Sequence, residues 1–186
     1  SPATPEAFYL DVLDIGTAAT YFWGEQTFKF EYLHSDFNAG DSIVILGPSG
    51  QREIFNYQLA SIGHEYTYNY ANNWSSSFYT EYQRVLGVGE DKRSQTQIFQ
   101  NDLFIGHRLA LNDAFSNEFM LGVYFDIERR GESLYYISYE RRLNNAWKGK
   151  MSFRGVTIGD DAKSDSRGLY ILDGDDELSL TLTRFF

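Results

Sequence analysis

The sequence predicts an all-β fold, an antiparallel up-and-down transmembrane β-barrel. Apolar residues recur at every second position through most of the 186 residues, as they do in strands with one apolar and one polar face. The apolar runs are long enough to cross a bilayer, which takes about 9–11 tilted residues per strand. Aromatic residues are plentiful, with 14 Tyr, 15 Phe and 3 Trp, and the interfacial girdles of a membrane barrel require many of them.

Composition excludes several other classes of protein. No segment approaches the roughly 20 consecutive apolar residues of a membrane-spanning helix, so a helical membrane protein is excluded. The chain has no Cys and therefore no disulfide framework. A net charge of -10 argues against nucleic acid as a partner and against adsorption to an anionic membrane. The first residues lack the basic and apolar regions of a signal peptide, so we interpret the chain as a mature form.

Eight segments carry the strand pattern most clearly. In each segment apolar and polar residues alternate, and polar or turn-forming residues lie at its ends. The predicted strands are Thr27–His34, Phe55–Tyr70, Trp74–Leu86, Ile98–Leu111, Asn117–Arg129, Ser133–Leu143, Trp147–Ile158 and Asp176–Phe186. They favour an eight-stranded barrel.

The organisation predicted for the chain is a barrel over residues 26–186, preceded by an N-terminal segment over residues 1–25. Phe8, Val12 and Ile15 have the spacing of a short amphipathic helix. In that alternative the N-terminal segment lies outside the barrel wall, and the barrel has eight strands.

A second alternative makes the barrel ten-stranded, with Phe8–Ile15 and Ser42–Gly47 as additional strands. We favour eight strands, because residues 43–46 do not alternate and Pro48 cuts this run short. An antiparallel barrel with an even number of strands is expected in either case.

The links between strands alternate in length. Short links contain Asn72, Asn112 and Asn144, and Asn suits the left-handed backbone of tight turns. Longer polar links, among them Gly87–Gln97 and Gly159–Asp175, separate other pairs of strands. Because two strands separate successive short turns, we expect all of these turns at one end of the barrel.

The two faces of the predicted strands differ in chemistry. One face carries aromatic and aliphatic residues and is expected to contact lipid. The opposite face carries seven acidic and five basic residues, which we expect to line the lumen as a paired network or a pore: Lys29, Glu31, Glu65, Glu81, Asp102, Arg108, Asp126, Glu128, Glu140, Arg142, Lys150 and Arg154. A soluble barrel remains possible only with these faces reversed.

The last strand is the most specific segment. Leu178, Leu180 and Leu182 share one face with Phe186. This end resembles the C-terminal strand of Gram-negative outer-membrane β-barrels, in which a terminal Phe is recognised by the barrel assembly machinery. Arg184 departs from that pattern, because it falls on the apolar face.

The resemblance implies a location and an orientation. It places the chain in the outer membrane of a Gram-negative bacterium, with outer-membrane lipid, lipopolysaccharide and the assembly machinery as partners. The terminal Phe and the short turns then lie at the periplasmic side. Trp74, Phe115 and Trp147 close the short links and are expected to form part of the periplasmic aromatic girdle.

Basic residues near the opposite rim provide a weaker signal. Arginine suits bidentate contact with phosphate, so this group is expected to contact lipopolysaccharide or to solubilise the loops. It comprises Arg84, Lys92, Arg93, Arg129 and Arg130.

No motif in the sequence predicts catalysis, a metal or a cofactor. Outer-membrane lipases and deacylases place His and Ser two apart on one strand, and neither His34, His64 nor His107 has such a neighbour. The acidic links Gly159–Asp165 and Asp173–Glu177 lack the spacing of a dedicated calcium loop.

The function predicted from the sequence is therefore a non-enzymatic outer-membrane barrel with a plugged or very narrow polar lumen. Such a barrel serves as a structural element or as a platform for surface loops or a partner protein. The alternatives are a narrow passive channel, similar to a porin, for ions or small solutes and, third, a lipid-modifying enzyme.

Overall fold

The computed structural model describes residues 11–37, 42–47, 50–129, 131–159 and 168–185. These residues form an antiparallel sheet of nine strands and a separate hairpin of two strands. Because no described helix is both long and apolar enough, none of them could cross a bilayer.

The main sheet is an up-and-down meander in which each strand pairs with its neighbours along the chain. Its strands are β1 (Leu13–Trp23), β2 (Gln26–Asp36), β5 (Tyr57–Asn69), β6 (Ser75–Leu86), β7 (Asn101–Ala110), β8 (Glu118–Asp126), β9 (Ser133–Arg142), β10 (Trp147–Thr157) and β11 (Glu177–Arg184). The hairpin, β3 (Ser42–Gly47) and β4 (Gly50–Phe55), is inserted between β2 and β5. β1 and β11 are the two edges of the sheet, which is open.

All eight segments predicted as strands are strands, within a few residues at each end. The ninth strand, β1, occupies the region for which a short helix was one alternative. Its odd-numbered positions share a face with the apolar residues of β2, as Tyr21 does opposite Phe28. Thr17 and Ala19 interrupt that apolar row, which is why the alternation is weak in the sequence. The predicted helix position Phe8 lies outside the described residues.

The predicted strand Ser42–Gly47 exists but does not join the main sheet. Its partner is β4, in the direct hairpin register Ser42 opposite Phe55. The main sheet therefore has nine strands, where the sequence predicted eight or ten.

The two ends of the sheet differ as expected. The links that contain Asn72, Asn112 and Asn144 lie at one end, which we call the turn end, because the antiparallel meander returns there after every second strand. Asn112 has a φ of 50°, the left-handed backbone that Asn tolerates better than most residues. The opposite end, the loop end, carries the β3–β4 hairpin and a helix, α1 (Glu90–Thr96). It also carries a short 3₁₀ segment, Gly168–Leu172.

One face of the sheet is apolar and exposed along its whole width. Residues directly opposite each other share a face, and one such row joins Phe30, Ile62, Tyr82, Leu103 and Phe125. Ile62 is 60% exposed. We call this the apolar face.

The opposite, polar face holds most of the packed interior, concentrated at the loop end. Val85 and Leu169 are fully buried there. Phe99 and Phe104 each pack on the ring of Tyr124, with centroids 4.9 and 4.5 Å apart. These rings and Leu169 of the 3₁₀ segment make the loop end the most densely packed part of the polar face.

Candidate functional site

Ion pairs between strands cover much of the polar face. Arg108 bonds Glu118 at 2.6 Å, and Lys148 bonds Glu140 at 2.5 Å. In each pair the two residues lie on neighbouring strands, two positions away from being directly opposite. Further pairs join Lys29 to Glu65 at 3.5 Å and Arg154 to Glu177 at 3.0 Å. Opposite charges at such cross-strand positions stabilise a sheet.

The other predicted lumen residues have different neighbours. Glu81 accepts a hydrogen bond from the hydroxyl of Ser61 at 3.1 Å. The guanidinium of Arg142 lies 5.9 Å from the ring centre of Phe185, and the ammonium of Lys150 lies 5.9 Å from that of Tyr136. Glu31 lies on the same face, opposite Ala18 and Ser61, and is exposed.

The remaining predicted acids converge at the loop end. Asp102 and Asp126 are directly opposite each other on β7 and β8, and they are 2% and 4% exposed. The side-chain amide of Gln100 donates to Asp126 Oδ2 at 3.0 Å. Backbone N–H groups of Glu128 and Arg129 donate to Asp126 Oδ1 at 2.9 and 2.7 Å.

Glu132 completes this group. It is 1% exposed, and its Oε1 accepts from the guanidinium of Arg129 at 2.6 Å. Its Oε2 accepts from the backbone N–H of Leu169 at 3.1 Å, so the 3₁₀ segment covers it. Burial raises the pKa of the Glu132 carboxyl, and the bond from Arg129 offsets part of that effect. We call Gln100, Asp102, Asp126 and Glu132 the loop-end acid cluster.

Two oxygens of this cluster are buried without a hydrogen-bond partner. They are Oε1 of Gln100 and Oδ1 of Asp102. Gln100 and Asp102 are 1% and 2% exposed, so neither oxygen is on an open surface. Such buried acceptors are uncommon in folded proteins.

Gln100 and Glu132 were not among the predicted lumen residues. Glu132 lies in a link next to a strand, so strand periodicity carries no information on where its side chain points. Gln100 lies within the predicted strand Ile98–Leu111, at the same parity as Asp102, so the alternation did indicate its face. Glu118, Lys148 and Glu177 were also left out, although each lies on the same face of its strand as the predicted set. For these three the alternation itself was a sufficient signal.

Glu128 lies at the rim and holds helix α1. Its carboxylate accepts from Nε and Nη2 of Arg93, at 3.0 and 2.5 Å, and from the amide of Asn101 at 2.9 Å. Arg93 is 9% exposed. The bond to Glu128 raises the pKa of the Arg93 guanidinium.

The five basic residues predicted to contact lipopolysaccharide do not form one free group. Arg93 and Arg129 use guanidinium donors on Glu128 and Glu132. Lys92 lies 4.4 Å from the ring centre of Phe55, and Nε of Arg84 is buried without a partner. Arg130 lies outside the described residues.

A cleft of about 480 Å³ lies beside Lys92 at the loop end. Its polar lining includes His34, Asn56 and Gln58. The cleft is separate from the loop-end acid cluster, with which it shares no lining residue.

The turn end carries the predicted aromatic residues. Trp74 and Phe115 are 40% and 47% exposed, and Trp147 begins β10. Trp23, which the sequence analysis did not single out, is 66% exposed at the end of β1. Arg184 lies opposite Trp147, with its guanidinium 5.6 Å from the Trp147 ring centre. This contact accounts for a basic residue on the apolar face.

Three of the four residues of the predicted assembly signal lie in the described part of the chain. Leu178, Leu180 and Leu182 lie on the apolar face of β11 and are 66%, 76% and 61% exposed. Phe186 lies outside the described residues.

The apolar face also holds polar pairs, among them Gln26 with His64 and Ser76 with His107. The Ser76 hydroxyl oxygen lies 2.6 Å from Nε2 of His107, and the ring of Phe78 packs on the imidazole at 4.6 Å. A nucleophilic serine needs such a base. However, Ser76 is 1% exposed and is paired with β5 and β7 on both sides. The pair satisfies two polar groups at an apolar surface, and it offers a substrate no access.

Among the described residues, no three His, Asp or Glu side chains are arranged to share a metal ion. No protein-family model matches the chain, and no curated protein or solved structure is significantly similar to it.

Proposed function

We propose that the chain is an integral outer-membrane β-barrel without enzymatic activity, with a plugged or very narrow polar lumen. It serves as a structural element or as a platform for surface loops or a partner protein. The observation that carries the proposal is the apolar face, which extends across nine antiparallel strands and is exposed.

An apolar surface of this extent is costly in water. Soluble monomers rarely expose contiguous apolar patches above roughly 300–600 Å². Here large apolar side chains on successive strands are about half exposed or more, among them Ile105 at 48%, Ile137 at 56% and Ile62 at 60%. In a bilayer the same face contacts hydrocarbon, and the hydrogen bonds between strands satisfy the backbone N–H and C=O groups.

The polar face supports a narrow or plugged lumen. Its ion pairs neutralise opposite charges across neighbouring strands, as between Arg108 and Glu118. At the loop end the 3₁₀ segment packs over Glu132, and Leu169 is fully buried. A lumen lined by paired charges and filled by rings leaves little room for solutes.

The two ends of the sheet support the proposed location and partners. Trp23, Trp74 and Trp147 at the turn end have the positions of an interfacial aromatic girdle. Together with the C-terminal strand, they support a periplasmic turn end and insertion by the barrel assembly machinery. The loop end then meets lipopolysaccharide.

Matched arginine substitutions on β11 test the proposal. Leu180 lies opposite Met151 on the apolar face, and Ser179 lies opposite Ser152 on the polar face. Leu180→Arg should destabilise the protein in liposomes by about 2–4 kcal/mol, because an Arg near the bilayer midplane faces hydrocarbon. Ser179→Arg should cost much less. The measurement is urea unfolding of liposome-inserted protein.

Equal effects of the two substitutions, or a wild-type chain that stays soluble and monomeric without detergent, would refute the membrane proposal. Planar-bilayer recordings separate the closed barrel from the passive channel. We expect no steady openings, whereas regular cation-selective openings would favour the channel.

A further inference from the structure

We propose that the loop-end acid cluster binds a divalent cation of the calcium class. Its ligands are the carboxylates of Asp102 and Asp126 and the side-chain oxygen of Gln100. This site is independent of the membrane function proposed above.

The register brings the two carboxylates together. Asp102 and Asp126 are directly opposite on β7 and β8, share the polar face, and are 2% and 4% exposed. Like charges directly opposite each other destabilise a sheet, and burial strengthens their repulsion. A bound cation turns this repulsion into attraction to a shared ion.

Two unpartnered oxygens are the acceptors that the ion would use. Gln100 donates its amide nitrogen to Asp126, so its Oε1 is the atom left without a partner. Asp102 uses Oδ2 on the backbone N–H of Asn101 at 3.0 Å, so its Oδ1 is left over. Both residues are at least 98% buried. The cluster thus presents unused acceptors, which a cation or a donor must satisfy.

The ligand chemistry favours calcium. All three ligand groups are oxygens, and two of them are carboxylates, which is the donor set of hard cations. Mg²⁺ demands near-ideal octahedral geometry and releases its water reluctantly, whereas Ca²⁺ accepts irregular sets. The 3₁₀ segment, which covers Glu132 beside the site, shields the ion from bulk water.

Calcium titration of the refolded chain tests the site. The full chain is folded in detergent, treated with EDTA and titrated with CaCl₂ by calorimetry. We expect one ion per chain, with a dissociation constant on the order of 0.1–1 mM, as in extracellular calcium modules. Asp102→Asn keeps the shape but removes the charge, and it should weaken binding by about tenfold or more. Asp175→Asn, an exposed control at the same end, should bind as the wild type does.

Terbium luminescence locates the ion. Tyr124 lies two residues before Asp126 on the same face and should sensitise Tb³⁺ in the site. Tyr124→Phe should therefore reduce the luminescence and leave the calorimetric affinity for Ca²⁺ unchanged. Circular dichroism verifies that each variant is folded.

Two results would overturn the site. The first is no stoichiometric binding by the wild type at calcium concentrations on the order of 10 mM, well above the expected range; a water or a proton would then satisfy the two oxygens. The second is unchanged binding by folded Asp102→Asn. Neither result bears on the membrane proposal, because the titration requires only the folded chain.

Discussion

At the scale of residues, close packing requires glycine at two positions where the ring of Phe104 lies across β7 and β8. Gly106 and Gly122 are directly opposite each other, and the ring of Phe104 lies over both. A Cβ atom on Gly106 would lie 2.7 Å from this ring, and one on Gly122 would lie 2.6 Å from it. Both positions therefore need glycine because of the close approach of an aromatic ring, although each costs some strand stability.

Gly122→Ala tests this packing. The added methyl group should displace the Phe104 ring and destabilise the sheet by about 1–3 kcal/mol, as overpacking does. Gly149→Ala is the matched control, because its Cβ would meet Leu143 at an ordinary 3.7 Å. Urea unfolding in liposomes measures both. In a Phe104→Leu background the cost of Gly122→Ala should largely disappear, and a persistent cost would contradict the proposed clash.

At the scale of elements, helix α1 is anchored at the loop end by an ion pair between Arg93 and Glu128, beside the contact of Lys92 with the Phe55 ring. Arg93 donates to both carboxylate oxygens of Glu128, and Nη1 of Arg93 also donates to the carbonyl of Val88 at 3.2 Å. Glu128 follows β8, so the contact joins two links of the loop end. The helix has only seven residues and cannot be stable on its own.

Arg93→Ala should therefore release α1 and leave Glu128 without its main partner. We expect a loss of about 1.5–3 kcal/mol, the range for hydrogen bonds to charged groups. The joint change Arg93→Met and Glu128→Gln should cost less than Arg93→Ala alone, because no charge is left unpaired. Lys29→Ala removes an exposed pair and is the control, with an expected cost of about 0–1 kcal/mol. An equal loss in both single variants would contradict an anchoring role for Arg93.

At the scale of the whole molecule, nine strands determine how the sheet can close. In a meander, odd-numbered strands run in the same direction, so the two edges β1 and β11, the first and ninth strands of the sheet, both run from the loop end to the turn end. Direct pairing of these edges is therefore parallel. Antiparallel closure requires one additional strand of opposite direction between them.

Cysteine cross-linking distinguishes the two closures, and the chain has no Cys of its own. Phe22 and Thr183 lie near the turn end of β1 and β11, both on the polar face. The Phe22→Cys and Thr183→Cys pair should form a disulfide in liposomes if the edges pair in parallel, as we expect. The Asp14→Cys and Thr183→Cys pair, at opposite ends of the strands, should not. Absence of both disulfides would mean that another strand lies between the edges.

The eight main strands could be predicted from the sequence because successive residues of a strand point to opposite faces, so the pattern lies within a short segment. Arg184 shows the limit of this signal. Its position broke the pattern, and only the register placed it over the ring of Trp147. The favoured eight-strand prediction did not include β1, because the small residues Thr17 and Ala19 weaken its apolar row.

The sequence by itself determined that the fold is all-β and antiparallel, eight of its strands with their two faces, and the ends at which turns and loops lie, because these depend on period and on turn residues. Only the tertiary structure decided the number of strands in the sheet and the loop-end acid cluster. That cluster joins Gln100, Asp102, Asp126 and Glu132 through the register of β7 and β8 and the cover of a 3₁₀ segment. The sequence had instead directed attention to the acidic link Asp173–Glu177, whose charges are adjacent in the chain and exposed. Burial and cross-strand register are not local properties, so no pattern within one segment could reveal them.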